Sequence, residues 1–332
     1  MAEKKTIRYS VVIPAYNAGR TLPDTLTALK QQTISHEEYE VIVVDDGSTD
    51  DTADAARRFG VNCIGQPNRG PAAARNHGAR VAKGDIILFT DADCSPDRDW
   101  LRQMTLPFQN EKTIGVKGAY RTNQKTLAAR FAQAEFEDRY DLLGKADAID
   151  MVDTYSAAFR KDMFIKIGLF DESFPVANNE DTELSYRMCA AGYRLEFNPE
   201  AIVYHLHPDS FVKYLRLKFK RGYWRMIVYR NYPGKAIKDT YTPIVIKLQT
   251  MMAACSILSV LFSIASPVLL KLTGLLFLGI MASSIPFSVK TFKKDPVIAL
   301  ISPLVVLGRS LSFALGVFFS VFYKKTSSLS KR

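Results

Sequence analysis

The chain has 332 residues, of which 47% are hydrophobic, and a formal net charge of +10 at neutral pH. This length suits one folded domain together with a membrane portion, and the absence of repeats and low-complexity tracts argues against a modular array. Its four cysteines lack paired spacing, so we expect no disulfide framework. The N-terminus is basic but runs directly into a strand-like segment, so we expect no signal peptide.

The first ninety residues alternate between strand and helix signals. Strands are predicted over 9–13, 41–44, 61–64 and 86–89, and helices over 21–32, 53–59 and 71–82. The runs 41–44 and 86–89 are apolar without alternation, as in strands that are buried on both faces. This order predicts a parallel sheet covered by helices on both sides.

Polar clusters follow three of these strands, at Pro14-Ala15-Tyr16-Asn17, at 45–50 and at Asp91-Ala92-Asp93. Parallel sheets bind ligands at the carboxyl ends of their strands, so we expect one site there. Two carboxylates beside a buried strand repel each other and require a compensating cation, such as a divalent metal that also holds a phosphate. A strand-ending turn would also explain the triplet by itself.

The loop after the first strand contains neither a G-x-G-x-x-G pattern nor a P-loop lysine. Both patterns use backbone amides and glycines to cradle phosphates. A nicotinamide cofactor and a P-loop ATPase mechanism are therefore disfavoured.

Four motifs carry a resemblance to a known family: Val12-Ile13-Pro14-Ala15-Tyr16-Asn17, Val44-Asp45-Asp46-Gly47-Ser48-Thr49-Asp50, Asn68-Arg69-Gly70 with Ala74-Arg75-Asn76, and Asp91-Ala92-Asp93. In this order they resemble the nucleotide-sugar half of family 2 glycosyltransferases, of the membrane-anchored bacterial and archaeal type. The resemblance extends from about residue 7 to about residue 207. It implies a GT-A fold, which is an α/β fold with a mostly parallel nucleotide-binding sheet flanked by helices.

The resemblance also implies inverting, metal-dependent transfer of a sugar from a nucleotide diphosphate donor, with Mg²⁺ or Mn²⁺ as the metal. Asp46 matches the residue that contacts the base, and Asp93 matches the metal ligand. As an acceptor, Asp46 suits a nucleobase imide, although it would also cap the turn at Gly47-Ser48. Asp91 is expected to bond ribose or sugar hydroxyls, and residues 14–17 are expected to contact the donor.

Arg69 and Arg75 flank the loop that enters the helix at Pro71. A cation near a helix start opposes the helix dipole, so we expect both arginines to meet the donor diphosphate. A solvated surface arginine is the alternative for Arg69. Gly70 is expected to allow a close backbone approach or a positive φ.

Glu180 and Asp181 precede a helical stretch over 184–191. Inverting transfer needs a base that takes the proton of the acceptor hydroxyl. The pair matches the E-D motif of the family, and the match makes Asp181 that base. The alternative is that Asp181 only caps the helix.

His205 and His207 follow a β-rich run. The family resemblance places a histidine after the last sheet strand against the diphosphate or the metal, which makes His205 the candidate metal ligand. His207 is the alternative, because two histidines two residues apart lie on the same side of a strand. A purely structural histidine is the other interpretation of each.

Residues 210–235 interleave cations with aromatic residues, which suits a helix in a membrane interface. Nucleic acid would attract the same charges, but the apolar sequence that follows favours anionic lipid as the partner, without nucleic acid. The segment Arg221-Gly222-Tyr223-Trp224-Arg225 lacks the Q-x-x-R-W motif of processive family members. We therefore expect a non-processive protein.

Residues 244–323 form the predicted membrane region, with spans over 251–270 and 272–289. A third stretch, 296–323, contains Arg309 and either crosses the membrane or forms a re-entrant or surface hairpin. The loop at 290–294 and the tail at 324–332 are both basic. Because positive residues prefer the cytoplasm, both lie there only if the third stretch does not cross completely.

Residues 1–209 are thus expected to form a cytoplasmic GT-A domain of a multi-pass membrane protein. The leading hypothesis is a glycosyltransferase whose acceptor is a polyprenyl phosphate or a growing saccharide on a lipid carrier. A membrane-tethered sensor that binds nucleotide sugars without transfer is the main alternative, and it would need the donor site but no base. A nucleotidyltransferase is disfavoured, since residues 15–20 form no Gly-rich basic loop.

Overall fold

The computed structural model describes residues 7–174 and 179–322. By internal contacts the chain forms two compact units, Met1–Asn123 with Leu143–Leu206 and Gln124–Leu142 with His207–Arg332. This division differs from the sequence-based boundary at Asp209, because residues 124–142 group with the C-terminal part. The reason is that Phe131 and Ala132 belong to the hydrophobic core of the second unit.

The strands are β1 Tyr9–Ala15, β2 Tyr39–Asp45, β3 Asn62–Gly65, β4 Ile86–Phe89, β5 Ser95–Pro96, β6 Thr113–Arg121, β7 Ala157–Arg160 and β8 Arg194–Tyr204. The helices are α1 Leu22–Lys30, α2 Thr52–Arg58, α3 Pro71–Val81, α4 Trp100–Thr105, α5 Leu127–Leu143, α6 Lys161–Lys166, α7 Glu180–Ala190, α8 Phe211–Asn231, α9 Pro233–Ile237, α10 Ile244–Phe262, α11 Val268–Ala282, α12 Ile285–Phe292 and α13 Pro296–Ser320. Short 3-10 turns cover Leu106–Gln109 and Thr154–Ser156. All seven elements predicted in the first ninety residues are present.

The first unit is built on one eight-stranded sheet with the order β3-β2-β1-β4-β7-β6-β8-β5. β1, β2, β3 and β4 pair in parallel, as expected, and the central residues of β1, β2 and β4 are completely buried, whereas those of the edge strand β3 are partly buried. β7 pairs antiparallel with both β4 and β6, and β5 pairs antiparallel with β8, whereas β8 is parallel to β6. The sheet is therefore parallel where the polar strand ends cluster and mixed beyond it.

Pro14 was expected to end the first strand, but β1 continues through it to Ala15. The Val12 carbonyl accepts a hydrogen bond from the Thr90 amide. Residues two apart in a strand point to the same side, so the nitrogen of Pro14 also faces the side of β4. Since β4 ends at Phe89, no ladder hydrogen bond is lost there.

The second unit is helical. Its core joins α5, α8, α10, α11 and α13 through Phe131, Tyr214, Ala253, Ile280 and Val306. Ile244–Phe262, Val268–Phe292 and Pro296–Ser320 are long and apolar enough to cross a membrane. The expected span over 251–270 is wrong in register, because α10 ends at Phe262 and the next helix begins after Pro267.

Candidate active site

The loops after β1 and β2 are joined by side-chain hydrogen bonds. The amide of Asn17 donates to Ser48 Oγ at 2.9 Å, and Asn17 Oδ1 accepts from the Thr49 amide at 2.9 Å. Asn17 has a φ of +49°, a left-handed conformation that asparagine tolerates well. Two of the polar clusters expected to converge therefore form one continuous wall, from which the exposed side chain of Tyr16 projects.

Asp46 is buried and fastens the loop that precedes α3. Its Oδ1 accepts from Gln66 Nε2 at 2.7 Å and from the Arg69 amide at 2.9 Å, and its Oδ2 accepts from the Gly70 amide at 2.8 Å. Gly70 has a φ of +90°, which confirms the predicted need for glycine. Asp46 thus anchors this loop instead of capping Gly47-Ser48, and its contact with a base stays a prediction.

Arg69 and Arg75 have very different surroundings. The Arg69 side chain is 64% exposed and contacts Glu172 at 2.8 Å. Arg75 is only 2% exposed, and its guanidinium pairs with Asp91 at 2.7 Å and with Glu180 at 3.0 Å. Two carboxylates thus compensate the charge of Arg75, and its expected contact with the diphosphate stays a prediction.

Asn76, the next residue in the same motif, forms hydrogen bonds with the backbone of the loop at Phe170. Its Nδ2 donates to the Phe170 carbonyl at 2.9 Å, and its Oδ1 accepts from the Phe170 amide at 2.9 Å. The motif is thus divided between an ion-pair bridge and a structural clamp. Glu180 is 105 residues from Arg75 and Phe170 is 94 residues from Asn76, so the motif alone does not identify these two partners.

Asp91, Asp93, Cys94 and His205 form a cluster that could hold a metal ion, with one ligand atom from each within 4.8 Å of the others. His205 Nε2 lies 3.2 Å from Asp93 Oδ1. Burial raises the pKa of the Cys94 thiol well above its usual value, and the charges of Asp91 and Asp93 add to this. A thiol is a soft ligand, whereas Mg²⁺ and Mn²⁺ prefer oxygen, which favours the two carboxylates and the imidazole as ligands. Carboxylate oxygens fit Mg²⁺ or Mn²⁺, and the 43% exposed Asp93 side chain leaves the cluster open to a ligand.

Tyr120, a residue of β6 that the sequence analysis did not single out, orients His205. Its hydroxyl hydrogen-bonds Nδ1 of His205, and the two rings meet edge to face at 4.9 Å. Nε2 is thereby directed towards Asp93. The pairing of β6 with β8 creates this contact, and no local sequence signal predicts that pairing.

His207 does not belong to this cluster. Its amide donates to Gln124 Oε1 at 2.6 Å, and its Nε2 lies 3.0 Å from Gln133 Oε1, so its described partners are residues of the second unit. The alternative assignment to His207 is therefore wrong. β8 ends at Tyr204, and the two-residue repeat of a strand no longer applies beyond it.

Glu180 and Asp181 occupy the first turn of α7, which begins four residues earlier than predicted. Acidic residues are favourable there because the helix dipole is positive at its N-terminus. Glu180 is 2% exposed, and its Oε2 has no hydrogen-bond partner among the described residues. Burial, reinforced by the charge of Asp181 and opposed by that of Arg75, raises the pKa of Glu180 to about 7.

Asp181 is only half-buried, and its Oδ1 accepts from the adjacent Thr182 amide at 2.7 Å. Of the two acids, Asp181 is therefore the one accessible to a ligand, whereas Glu180 faces inward onto Arg75. The N-cap position belongs to Asn179, with a φ of +67°, so Asp181 is not the N-cap residue of the helix.

The sequence is similar to that of known glycosyltransferases. Residues 10–168 match the family model described as Glycosyl transferase family 2. Glycosyltransferase AglE of Haloferax volcanii is 29% identical over 226 residues, which cover 64% of this chain and 71% of AglE. The probable glycosyltransferase YdaM of Bacillus subtilis is 30% identical over 224 residues, which cover 63% of this chain and 53% of YdaM.

Among solved structures, the mannosyltransferase PcManGT from Pyrobaculum calidifontis, in complex with GDP-Man and Mn²⁺, superposes with a TM-score of 0.63. The match covers 96% of this chain and 88% of the other at 21% identity, which is evidence for the fold alone. The matched family domain contains β1 to β4 and the Asp91–Asp93 triplet. Residues 10–168 are thus similar to glycosyltransferase family 2, and the first unit has the GT-A fold.

Proposed function

We propose that this protein transfers a sugar, with inversion, from a nucleotide diphosphate donor to an acceptor carried by a membrane lipid. The observation that carries the proposal is the bridge from Asp91 through Arg75 to Glu180. One buried arginine connects the metal-binding carboxylates to the acid pair of α7. A sensor would need the carboxylates of the donor site but not the acid pair of α7.

The donor half consists of the strand-end wall and the metal cluster. Asp91, Asp93 and His205 are the residues that would hold Mg²⁺ or Mn²⁺. When bound, the metal offsets the negative charge of the departing diphosphate. The Mn²⁺ and GDP-Man bound by PcManGT support a donor of this class, although they do not identify the sugar or the base.

The acceptor half is the first turn of α7. Asp181 takes the proton of the acceptor hydroxyl while the acceptor oxygen forms a bond with the anomeric carbon. The bond from that carbon to the diphosphate oxygen breaks, and the diphosphate leaves with the electron pair. Glu180 holds Arg75 in place. This division of roles follows from the accessibility of Asp181 and the burial of Glu180.

Three apolar helices and the cationic helix α8 support an acceptor at a membrane that contains anionic lipid. The basic segments favour the cytoplasmic face, where donors of this class are made. In this proposal the membrane attachment brings the enzyme and a lipid-linked acceptor to the same surface.

The test is direct product analysis. Purified protein is incubated with a panel of nucleotide sugars, Mn²⁺ or Mg²⁺ and native lipid extract, and the lipids are analysed by mass spectrometry. A glycosylated lipid that needs donor, metal and protein supports the proposal. Saturable donor binding without any product across the panel would instead support the sensor.

A further inference from the structure

The apolar helix α13 is attached to charged helices of the second unit at its start, its middle and its end. Asp295, its N-cap, pairs with Arg130 of α5 at 2.6 Å. Arg309 pairs with Glu135 of α5. Near the C-terminus, the Ser320 carbonyl accepts from Arg230 of α8 at 2.8 Å.

Two side-chain ion pairs link the first half of α13 to α5. Fourteen residues separate Asp295 from Arg309, or about 21 Å of helix. Their partners, Arg130 and Glu135, are only about 8 Å apart along α5. A helix that left α5 along the membrane normal would carry Arg309 away from the charged side chains. Instead, Arg309 is 7% exposed and also hydrogen-bonds Gln249.

The second half of α13 packs backbone to backbone with α8. A Cβ atom on Gly316 would lie 2.1 Å from the Phe219 carbonyl oxygen, and one on Gly222 would lie 2.4 Å from the Phe313 carbonyl oxygen. Glycine at both points allows the helices to touch. The rings of Phe219 and Phe319 continue the contact at 5.9 Å.

α8 itself is unsuited to the hydrocarbon core. It is not among the helices with the composition of a span, and it carries Lys213, Arg216, Lys218, Lys220, Arg221, Arg225 and Arg230. Each cation at the centre of a bilayer costs about 2.5–3.5 kcal/mol on insertion scales. A helix that packs backbone to backbone with α8, and whose ion pairs reach α5, must share the depth of α8 along that contact.

We infer that α13 lies in the membrane interface with α8, and that the crossing pair consists of α10 and the α11–α12 segment. Exposed apolar residues of α13, such as Leu300, Leu304 and Phe318, would enter the acyl region. Exposed cations of α8, such as Arg216 and Lys220, would meet the phosphates of anionic lipids. The partner of this surface is an anionic leaflet.

This topology removes the conflict between the two basic segments. The basic segment 290–294, which includes the end of α12, is linked to α5 by Lys290 with Asp138 and by Lys294 with Glu137, both at 2.6 Å. If α13 does not cross, the tail at 324–332, which lies outside the described residues, is expected on the same side as that segment. Both basic segments then obey the preference for one side.

The test uses cysteine accessibility and rests only on the membrane attachment of the proposed function. In a variant with its four native cysteines replaced, single cysteines are introduced as Ile264→Cys, Lys293→Cys and Ser328→Cys. Sealed vesicles are labelled with a membrane-impermeant maleimide, and solubilised protein serves as the reactivity control. We expect Lys293→Cys and Ser328→Cys to label from one side and Ile264→Cys from the other.

Opposite labelling of positions 293 and 328 would show that α13 crosses and would overturn the inference. Labelling of all three positions from one side would overturn the α10–α12 crossing pair. A C-terminal tag exposed to protease in the same vesicles gives an independent reading of the side of the tail. Because labelling needs no donor, an inactive protein would still give a result, and failure of the proposed function stays distinguishable.

Discussion

Arg75 shows how much the role of a residue depends on what surrounds it. A cation near a helix start suggests an anionic ligand, yet this side chain is buried between Asp91 and Glu180. An unpaired charge in the interior is costly, whereas a charge shared by two carboxylates is compensated. Arg75 therefore positions the acids on either side of it. Asp181 lies beside this network and is more exposed, as the proposed role of a base requires.

Asp181→Asn should reduce turnover by roughly 10²–10⁴-fold, the usual contribution of a positioned base, while donor affinity hardly changes. The matched control is Asp162→Asn. Asp162 is also the second residue of a helix, and its Oδ1 also accepts from the following amide, at 2.8 Å. Steady-state kinetics and donor titration of both variants provide the measurement. Full activity of Asp181→Asn would remove Asp181 from the mechanism and direct attention to Glu180.

Tyr120→Phe should weaken Mn²⁺ binding by about 10–100-fold, because removal of an outer hydrogen bond to a ligand histidine commonly has this effect. Calorimetric titration with Mn²⁺ and a nucleoside diphosphate measures it without turnover. Tyr39→Phe is the control, since the Tyr39 hydroxyl donates to the Leu29 carbonyl at 2.6 Å and is not part of the cluster. Asp93→Ala sets the lower limit of affinity. Equal affinity of Tyr120→Phe and the parent protein would refute the orienting role.

Glu180 should make stability pH-dependent. Its folded pKa of about 7 lies above the ordinary 4.5, so the folded state binds more protons between these values. Its contribution to stability is therefore fully present below pH 4.5 and is lost as the pH rises through about 7. Relative to the parent protein, Glu180→Gln should therefore become more stable as the pH rises from 4.5 to about 7. The free energy of unfolding of both proteins is measured by denaturant titration with tryptophan fluorescence. A constant difference would contradict a raised pKa.

At the scale of elements, α8 is more than the amphipathic surface helix that its sequence predicts. Lys218 points into the second unit and pairs with Glu135 at 2.7 Å, and Tyr214 donates to the same carboxylate at 2.7 Å. Burial opposes a charge on Glu135, but the cations of Lys218, Arg309 and Arg139 outweigh it and hold its pKa well below the usual range. One carboxylate thus joins α5, α8 and α13.

Glu135→Gln should destabilise the protein by about 3–5 kcal/mol, because it leaves buried cations without their counter-charge. Asp138→Asn is the control: it removes a carboxylate of the same helix that pairs with the partly exposed Lys290, where an ion pair contributes about 1 kcal/mol or less. Denaturant titration in detergent compares the two variants. Similar effects of both changes would show that the buried cluster is no more important than the surface pairs.

At the scale of the whole molecule, attachment through the apolar helices and attachment through the cationic surface should respond differently to salt. Salt weakens only the electrostatic part, since the Debye length falls to about 3 Å at 1 M ionic strength. We expect the protein to stay with the membrane fraction after high-salt washing and to require detergent for extraction. Recovery of soluble protein after salt alone would contradict a crossing pair.

The sequence by itself determined the elements of the nucleotide-binding half and the polar ends of its parallel strands. Buried strands need unbroken apolar runs, crossover helices need their own periodicity, and the carboxyl ends of parallel strands lie at one edge. For this reason, the Asp91–Asp93 triplet and the strand-end loops were predictable without coordinates. Gly70 was also predictable, because the turn before α3 requires a positive φ.

Only the tertiary structure decided which of these residues meet. Arg75 and Glu180 are 105 residues apart, and Tyr120 and His205 are 85 apart, so sheet pairing and helix packing alone bring them together. The same holds for α5, whose place in the second unit follows from the buried Phe131 and Glu135. Local patterns record which face of an element is apolar, whereas the partner of that face is set by packing across the whole chain.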